Sequence, residues 1–180
     1  MHDGDLLMAE FQNGSIKAFE KIIHKYKDIL YNYVIANFNL NSDESKDIIQ
    51  EVFIKIYENK DTYETRNKFN SWIFKITKNI AMNYLRKKNK FIKNKDIKDI
   101  KENQNNENIY NIIDNITVKQ ILNEIRKLPD NQRDVLIMRY HLGYSFKEIS
   151  AILSISESNA KVLAYRGLKA LKESIGEIEN

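Results

Sequence analysis

The sequence contains no cysteine, and its 180 residues include one proline and five glycines. Without cysteine, a disulfide framework and thiolate chemistry are excluded. Because few prolines and glycines interrupt the chain and its apolar residues recur at helical spacing, we expect an all-α fold. No apolar run approaches the roughly 18 residues that can span a bilayer, and the N-terminus has no signal-peptide pattern, so we expect a soluble, cytoplasmic protein.

Side chains that commonly carry out catalysis are few and scattered. His2, His24 and His141 lie near no cysteine and near no carboxylate at the spacing of a zinc site. The sequence also has no glycine-rich phosphate loop and no nucleophile elbow. We therefore expect no enzymatic activity, metal, cofactor or small-molecule substrate. The net charge of +4 is mild, and it permits a polyanionic partner without requiring one.

The chain divides into three parts by composition. Residues 1–88 are rich in apolar and aromatic residues at helical spacing, which predicts a first helical domain. Residues 89–115 alternate lysine, asparagine and aspartate with scattered apolar residues, a composition typical of a flexible tether. Residues 116–180 show the pattern of four short helices. We therefore expect two small helical domains joined by a linker.

The segment Tyr144–Gly167 has the pattern of a helix-turn-helix. Ser145 and Glu148 form a capping box at the start of its first helix, and Ser156 can cap the second. The side chains expected to face inward on the second helix are Ala160, Leu163, Ala164, Gly167 and Leu171. Those expected to face outward are Ser158, Asn159, Val162, Tyr165, Arg166 and Lys169. Such a polar, cationic face suits a helix in the DNA major groove. An ordinary αα-hairpin inside a bundle is the alternative.

Two faces of the first domain are predicted to contact a partner. One lies on the helix predicted at Asp43–Glu58, for which Ser42 or Asp43 is the expected cap. Its outward side chains are Asp47, Gln50, Glu51, Ile54 and Glu58. An acidic face with an isoleucine at its centre favours docking to a basic partner, although a solvated face with one stray isoleucine is also common.

The second face lies on the helix predicted to begin near Asn67. It interleaves cations with aromatic rings, namely Arg66, Lys68, Lys75, Lys78 and Arg86 with Phe69, Trp72 and Tyr84. Cations follow phosphates and aromatic rings stack on unpaired bases, so this pattern favours single-stranded DNA. For each ring, core packing is the alternative.

Taken together, these motifs resemble the extracytoplasmic-function class of bacterial sigma factors. In the first domain the resemblance is carried by DIIQEVFIKIY at Asp47–Tyr57 and FNSWIFKITKNIAMNYLR at Phe69–Arg86. In the second it is carried by LPDNQRDVLIMRY at Leu128–Tyr140 and by the helix-turn-helix. The chain departs from the family pattern at three positions, Asn83, Leu163 and Ser154, which stand where aspartate, arginine and glycine are usual.

The resemblance implies a role for each group of residues. Docking on core RNA polymerase is implied for Asp47, Gln50, Glu51 and Ile54. Capture of a base flipped out of the non-template strand of the −10 element is implied for Lys60, Asp61, Thr62, Tyr63 and Arg66. Contact with the adjacent melted strand is implied for Trp72, Lys75, Asn79 and Arg86. Reading of the −35 element is implied for Ser158, Asn159, Lys161, Val162, Tyr165, Arg166 and Lys169.

The expected partners are therefore core RNA polymerase and promoter DNA, with the polymerase performing the chemistry. An anti-sigma factor, often membrane-bound in this class, is expected from the resemblance alone. Two alternatives stay open at the level of sequence. A conventional helix-turn-helix regulator with an N-terminal effector domain would not account for the acidic face of the helix Asp43–Glu58, and a helical adaptor protein would show no dependence on DNA.

Overall fold

The computed structural model describes residues 3–64, 68–94 and 115–178, and these ranges contain helices and no β-strand. The eight α-helices in these ranges are α1 (Asp3–Gln12), α2 (Ile16–Phe38), α3 (Ser42–Glu58), α4 (Phe69–Asn94), α5 (Asn115–Lys127), α6 (Asp130–Leu136), α7 (Phe146–Leu153) and α8 (Glu157–Ile178). A short 3-10 turn at Lys60–Thr62 follows α3, and a π-helical turn at Ile137–His141 continues α6. The predicted all-α class is confirmed.

The helices form two compact units, as the sequence predicted. The first contains α1, most of α2, α3, the 3-10 turn and α4; the second contains α5 to α8 together with Ile35–Asn39. Most of the predicted tether lies outside the described residues. Its beginning, residues 89–94, continues α4 as helix.

The core of the first unit forms where α1, α2, α3 and α4 turn their apolar stripes inward. Its largest fully buried side chains include Met8, Phe11, Ile22, Leu30, Tyr33, Ile48, Ile56, Phe69 and Ile73. The sequence pattern did not predict α1, although Met8 and Phe11 are each 0% exposed. Gly4 lets α1 approach closely, because a Cβ there would lie 2.4 Å from the Tyr26 hydroxyl oxygen and 2.7 Å from the Phe69 ring.

The second unit buries the apolar faces of α6, α7 and α8 against one another. Its core includes Val135, Leu136, Ile137, Met138, Ile149, Ile152, Ala160 and Ala164. Leu128 and Pro129 separate α5 from α6, with Pro129 immediately before α6. Gly167 is buried where α8 meets α6, and a Cβ there would lie 3.0 Å from Leu136 Cδ1. The inward orientation expected of Gly167 is therefore confirmed.

Candidate functional site

The N-terminus of α3 is fixed by a capping box whose cap residue differs from the predicted one. The cap is Asn41, rather than Ser42 or Asp43: its side-chain oxygen accepts from the Glu44 amide at 2.8 Å, and its own amide donates to the Glu44 carboxylate at 3.0 Å. Asparagine, serine and aspartate are similarly favourable at the N-cap, so residue type alone did not distinguish Asn41 from Ser42 and Asp43. The cap is the residue at which the chain enters the helix.

Glu44 also ties α3 to α4. Its second carboxylate oxygen accepts from the Tyr84 hydroxyl at 2.9 Å and from Lys88 Nζ at 2.6 Å. Burial alone would raise the pKa of Glu44, but the hydrogen bonds from Lys88, Asn41 and Tyr84 outweigh it and lower that pKa. Burial and the bond to Glu44 raise the pKa of Tyr84 to about 12. Tyr84 therefore links α4 to the first turn of α3.

The α3 outer face, which we define as Asp47, Gln50, Glu51 and Ile54, is exposed at every position. Ile54, at the centre of this face, is 56% exposed. The buried residues on the opposite side of α3 are Ile48, Ile49, Val52, Phe53 and Ile56. The helical pattern predicted Tyr57 on the buried side of α3, but it is 50% exposed one turn beyond Ile54. Spacing of three residues from Ile54 was the signal that could have identified it. An apolar centre with an acidic surround is therefore available to a partner.

The 3-10 turn after α3 presents some predicted residues and buries another. Asp61 and Thr62 are exposed, and Lys60 is half-buried with its Nζ 5.2 Å from the centre of the Phe11 ring. Tyr63 is only 6% exposed, and its hydroxyl donates to Asp5 at 2.5 Å. The Tyr63 ring is thus packed in the core, so the free chain does not present it to a flipped base. Arg66 lies outside the described residues.

The hydroxyl of Tyr63 is held in its protonated, donating form. Burial, followed by the hydrogen bond to the Asp5 carboxylate, raises the pKa of Tyr63 well above its usual value. Its ring centre lies 4.9 Å from that of Trp72 and 5.7 Å from that of Phe69. Tyr63 therefore joins the 3-10 turn to the aromatic core beneath α4.

The predicted strand-binding residues of α4 share one face of the helix. Lys75, Asn79 and Arg86 are exposed, and Trp72 is half-buried with one part of its indole against Tyr63. The alternative of core packing holds fully for Phe69, which is 0% exposed. Trp72 packs against Tyr63 and Phe69 and keeps part of its surface exposed.

The helix-turn-helix forms as the sequence predicted. The Ser145 hydroxyl accepts from the Glu148 amide at 3.2 Å, and the Ser145 amide donates to the Glu148 carboxylate at 2.8 Å. Ser156 caps α8, since its hydroxyl accepts from the Asn159 amide at 3.1 Å. Between the helices, Ser154 adopts a left-handed conformation with φ of 56°. This conformation explains why glycine is usual at that position.

Replacing Ser154 with glycine is expected to raise the free energy of unfolding by up to about 1 kcal/mol, because a left-handed residue with a Cβ is strained by ~1–2 kcal/mol and glycine's greater unfolded-state entropy offsets part of the gain. Urea denaturation followed by circular dichroism measures the change. Ser154→Ala is the matched control: it removes the hydroxyl but keeps the Cβ, so it should not stabilise. A Ser154→Gly variant with a lower midpoint than the parent would contradict this account.

The α8 outer face, which we define as Ser158, Asn159, Lys161, Val162, Tyr165, Arg166 and Lys169, is exposed at all seven positions. Tyr165 is 70% exposed and Val162 43%. Lys161 Nζ lies 2.7 Å from a Glu157 carboxylate oxygen, an exposed pair that contributes little to stability. Leu168, 41% exposed, was not predicted, and its position three residues beyond Tyr165 was the available signal.

No group of three or more potential metal ligands occurs among the residues that the structure describes. Within the same residues, no helix combines the length and the apolar character needed to cross a membrane. The candidate site thus consists of three exposed faces carried on α3, on the 3-10 turn with α4, and on α8.

Comparison with known proteins identifies the class of protein that carries these faces. The chain matches the family "Sigma-70 region 2" over residues 22–91 and the family "Sigma-70, region 4" over residues 119–171. It is 27% identical over 179 residues to the ECF RNA polymerase sigma factor SigW of Bacillus subtilis, covering 94% of this chain and 95% of that protein. It is also 27% identical over 183 residues to the ECF RNA polymerase sigma-E factor of Escherichia coli K12, covering 94% of this chain and 93% of that protein.

Solved structures share the fold. One is CnrH in complex with the cytosolic domain of CnrY, with a TM-score of 0.68, 17% identity, and coverage of 97% of this chain and 99% of that one. Another is the sigma factor RpoE in complex with the anti-sigma factor NepR from Bartonella quintana, with a TM-score of 0.66, 20% identity, and coverage of 89% and 98%.

Regions 2 and 4 of the sigma-70 family, matched in this order along the chain, define a transcription initiation factor. The chain belongs to the extracytoplasmic-function class of RNA polymerase sigma factors. As an alternative sigma factor it directs RNA polymerase to promoters. The family and function inferred from the sequence are confirmed.

Proposed function

We propose that this sigma factor divides promoter recognition among its three exposed faces. The α3 outer face docks on core RNA polymerase, the 3-10 turn and the exposed face of α4 hold the melted −10 strand, and the α8 outer face reads the −35 element. The observation that carries this division is that the outward side chains of α3, α4 and α8 are exposed while the residues between them form two cores. The chain acts in the cytoplasm, with the polymerase it directs.

The chemistry of each face suits its proposed contact. Ile54 supplies an apolar anchor for a protein interface, and the surrounding carboxylates suit a basic partner. Asp61, Thr62 and Trp72 offer polar atoms and an aromatic surface to an extruded base, whose stacking on a ring contributes roughly 1–3 kcal/mol. Arg86 supplies a cation for the phosphates.

An anti-sigma factor is a further proposed partner. RpoE was solved with an anti-sigma factor, and CnrH with the cytosolic domain of CnrY. On this chain, Val162, Tyr165 and Leu168 form an exposed apolar row on α8 that a protein partner could cover while blocking DNA. Coexpression with neighbouring membrane-protein genes, followed by copurification, tests this partner.

Run-off transcription with purified core polymerase and genomic fragments tests the proposed function as a whole. Specific transcripts that appear only when the chain is added support it. Promoter binding that does not require core polymerase would instead favour a conventional helix-turn-helix regulator. Copurification of the chain with core polymerase separates these two cases independently.

Within the α8 outer face, Arg166 and Lys161 are expected to contact different parts of the −35 element. Arg166 lies well along α8, where we expect it to bind phosphate, and Lys161 lies in the first turns, which enter the groove most deeply. Arg166→Ala should weaken all −35 sequences equally and reduce the salt slope by about one. Lys161→Ala should cost ~1–3 kcal/mol at one base pair and relax discrimination there.

Holoenzyme binding to −35 variants across salt concentrations measures both effects. Lys27→Ala, which removes an exposed cation on α2 outside every proposed face, controls for the loss of one charge. Relaxed preference at a single base pair with an unchanged salt slope in Arg166→Ala would show that α8 is oriented differently on the DNA.

A further inference from the structure

Helix α1 holds the 3-10 turn at two points. The Gln12 side-chain amide donates to the carbonyl of Lys60 and to the carbonyl of Tyr63, both at 2.7 Å. One oxygen of Asp5 accepts from the Tyr63 hydroxyl at 2.5 Å and from the Lys68 amide at 3.1 Å. We call Asp5 and Gln12 the loop clamp.

The two carbonyls held by Gln12 flank the exposed residues of the turn. Lys60 and Tyr63 are fixed, and between them only Asp61 and Thr62 project into solvent. The Thr62 hydroxyl in turn donates to the Asn59 carbonyl at 2.8 Å. The clamp therefore fixes the backbone on both sides of the pair that is best placed to meet an extruded base.

Burying the Asp5 carboxylate of the loop clamp costs desolvation free energy. Asp5 is 0% exposed, and its second oxygen has no hydrogen-bond partner among the described residues. A buried carboxylate costs several kcal/mol of desolvation unless it is fully paired, and an apolar residue of similar size would avoid that cost. Packing alone therefore does not account for an aspartate here, whereas holding two donors of the loop does.

We propose that α1 is a positioning element for −10 recognition, in which Asp5 and Gln12 shape the turn that presents Asp61 and Thr62 to the non-template strand. This inference rests on the proposed function of the 3-10 turn. The matched sigma-70 region 2 begins at residue 22, so α1 lies outside the part of the chain that the family match describes.

Two variants remove single hydrogen-bonding groups while keeping the packing. Gln12→Met preserves the length of the side chain and removes both donated bonds, and Tyr63→Phe preserves the ring and removes the hydroxyl. Glu10→Met, at an exposed position of the same helix, is the matched control. Tyr63→Phe removes the hydrogen bond to Asp5 without changing α1, so it tests the clamp even if Gln12→Met folds poorly.

The first measurement reports whether the clamp holds the turn. Hydrogen exchange at the Thr62, Tyr63 and Lys68 amides should accelerate about tenfold in both variants. This is the change in the local opening equilibrium that the loss of one or two hydrogen bonds produces. The chain contains a single tryptophan, and its ring centre lies 4.9 Å from that of Tyr63, so Trp72 fluorescence should change as well. Unchanged exchange and fluorescence would overturn the inference.

The second measurement reports whether the clamp matters to the promoter. Holoenzyme carrying each variant is assayed on promoters with single-base changes in the −10 and −35 elements. The ratio of activities on the parental and the base-changed −10 elements should fall about fivefold or more. The corresponding ratio for the −35 element should stay unchanged, because a change in the geometry of the turn alters only its contact with the base that it binds. A variant that was merely less stable would weaken all promoters alike.

Asp61→Ala separates the inference from the proposal on which it rests. If Asp61→Ala reduces −10 preference and the clamp variants do not, the inference is overturned and the proposed function stands. If Asp61→Ala also leaves −10 preference unchanged, the assigned role of the turn fails and the inference falls with it, even where faster exchange shows that the clamp holds the turn.

Discussion

Replacing Ile54 with aspartate is expected to weaken the binding of core RNA polymerase roughly tenfold or more, because a contact at the centre of an interface is lost and a charge must be desolvated there, at a combined cost of ~2 kcal/mol or more. Ile54 is 56% exposed, so the free chain loses little packing. The Kd of the purified chain for core polymerase, measured by fluorescence anisotropy, gives the result, and circular dichroism checks the fold.

The chain offers a closely matched control for this change. Ile16 is 53% exposed at the first position of α2 and lies outside the α3 outer face, so Ile16→Asp should leave the Kd unchanged. Glu51→Lys should weaken binding through charge, with an effect that shrinks as salt is raised. A folded Ile54→Asp variant with the parental Kd would show that core polymerase docks elsewhere.

Replacing Trp72 with alanine is expected to reduce open-complex formation by about one to two orders of magnitude, the equivalent of the ~1–3 kcal/mol that base stacking on an aromatic ring contributes. The ring also packs on Tyr63 and Phe69, so some loss of stability accompanies the change. A fully buried tryptophan would cost ~3–5 kcal/mol on truncation, and the half-buried Trp72 should cost less.

Permanganate footprinting on duplex and pre-melted promoters separates melting from folding. A folded Trp72→Ala variant should recover on the pre-melted template, because strand separation is then already complete. Trp72→Phe keeps an aromatic surface and should retain most of the activity on duplex DNA. An unfolded Trp72→Ala variant would show that the ring serves the core, and a folded variant with normal opening would remove Trp72 from the proposed −10 surface.

Helical periodicity explains why the exposed faces could be predicted. On α8 the 3.6-residue repeat places Ala160, Ala164 and Gly167 inside and Tyr165 and Arg166 outside, and the structure agrees. The same holds for α3 except at Tyr57, which is half-exposed. The side of a helix on which a residue lies depends on its spacing from neighbours a few positions away. The sequence is therefore sufficient to predict these faces.

Other features depend on residues far apart in the chain. α1 was missed because Asp3, Gly4 and Asp5 look like an unstructured polar start, yet Gly4 and Asp5 are buried. The family resemblance implied that Tyr63 contacts DNA, but its ring is buried and its hydroxyl donates to a carboxylate more than fifty residues earlier. No local pattern reports such a contact.

The sequence by itself therefore determined the helices other than α1, most of their outward faces, the caps Ser145 and Ser156, and the family to which the chain belongs. The tertiary structure decided which exposed-looking side chains are buried and which groups hold the 3-10 turn. Spacing along one helix fixes the side on which a residue lies, whereas burial and hydrogen bonding between elements depend on how the helices pack, since a buried polar group must find its partner wherever the fold places one.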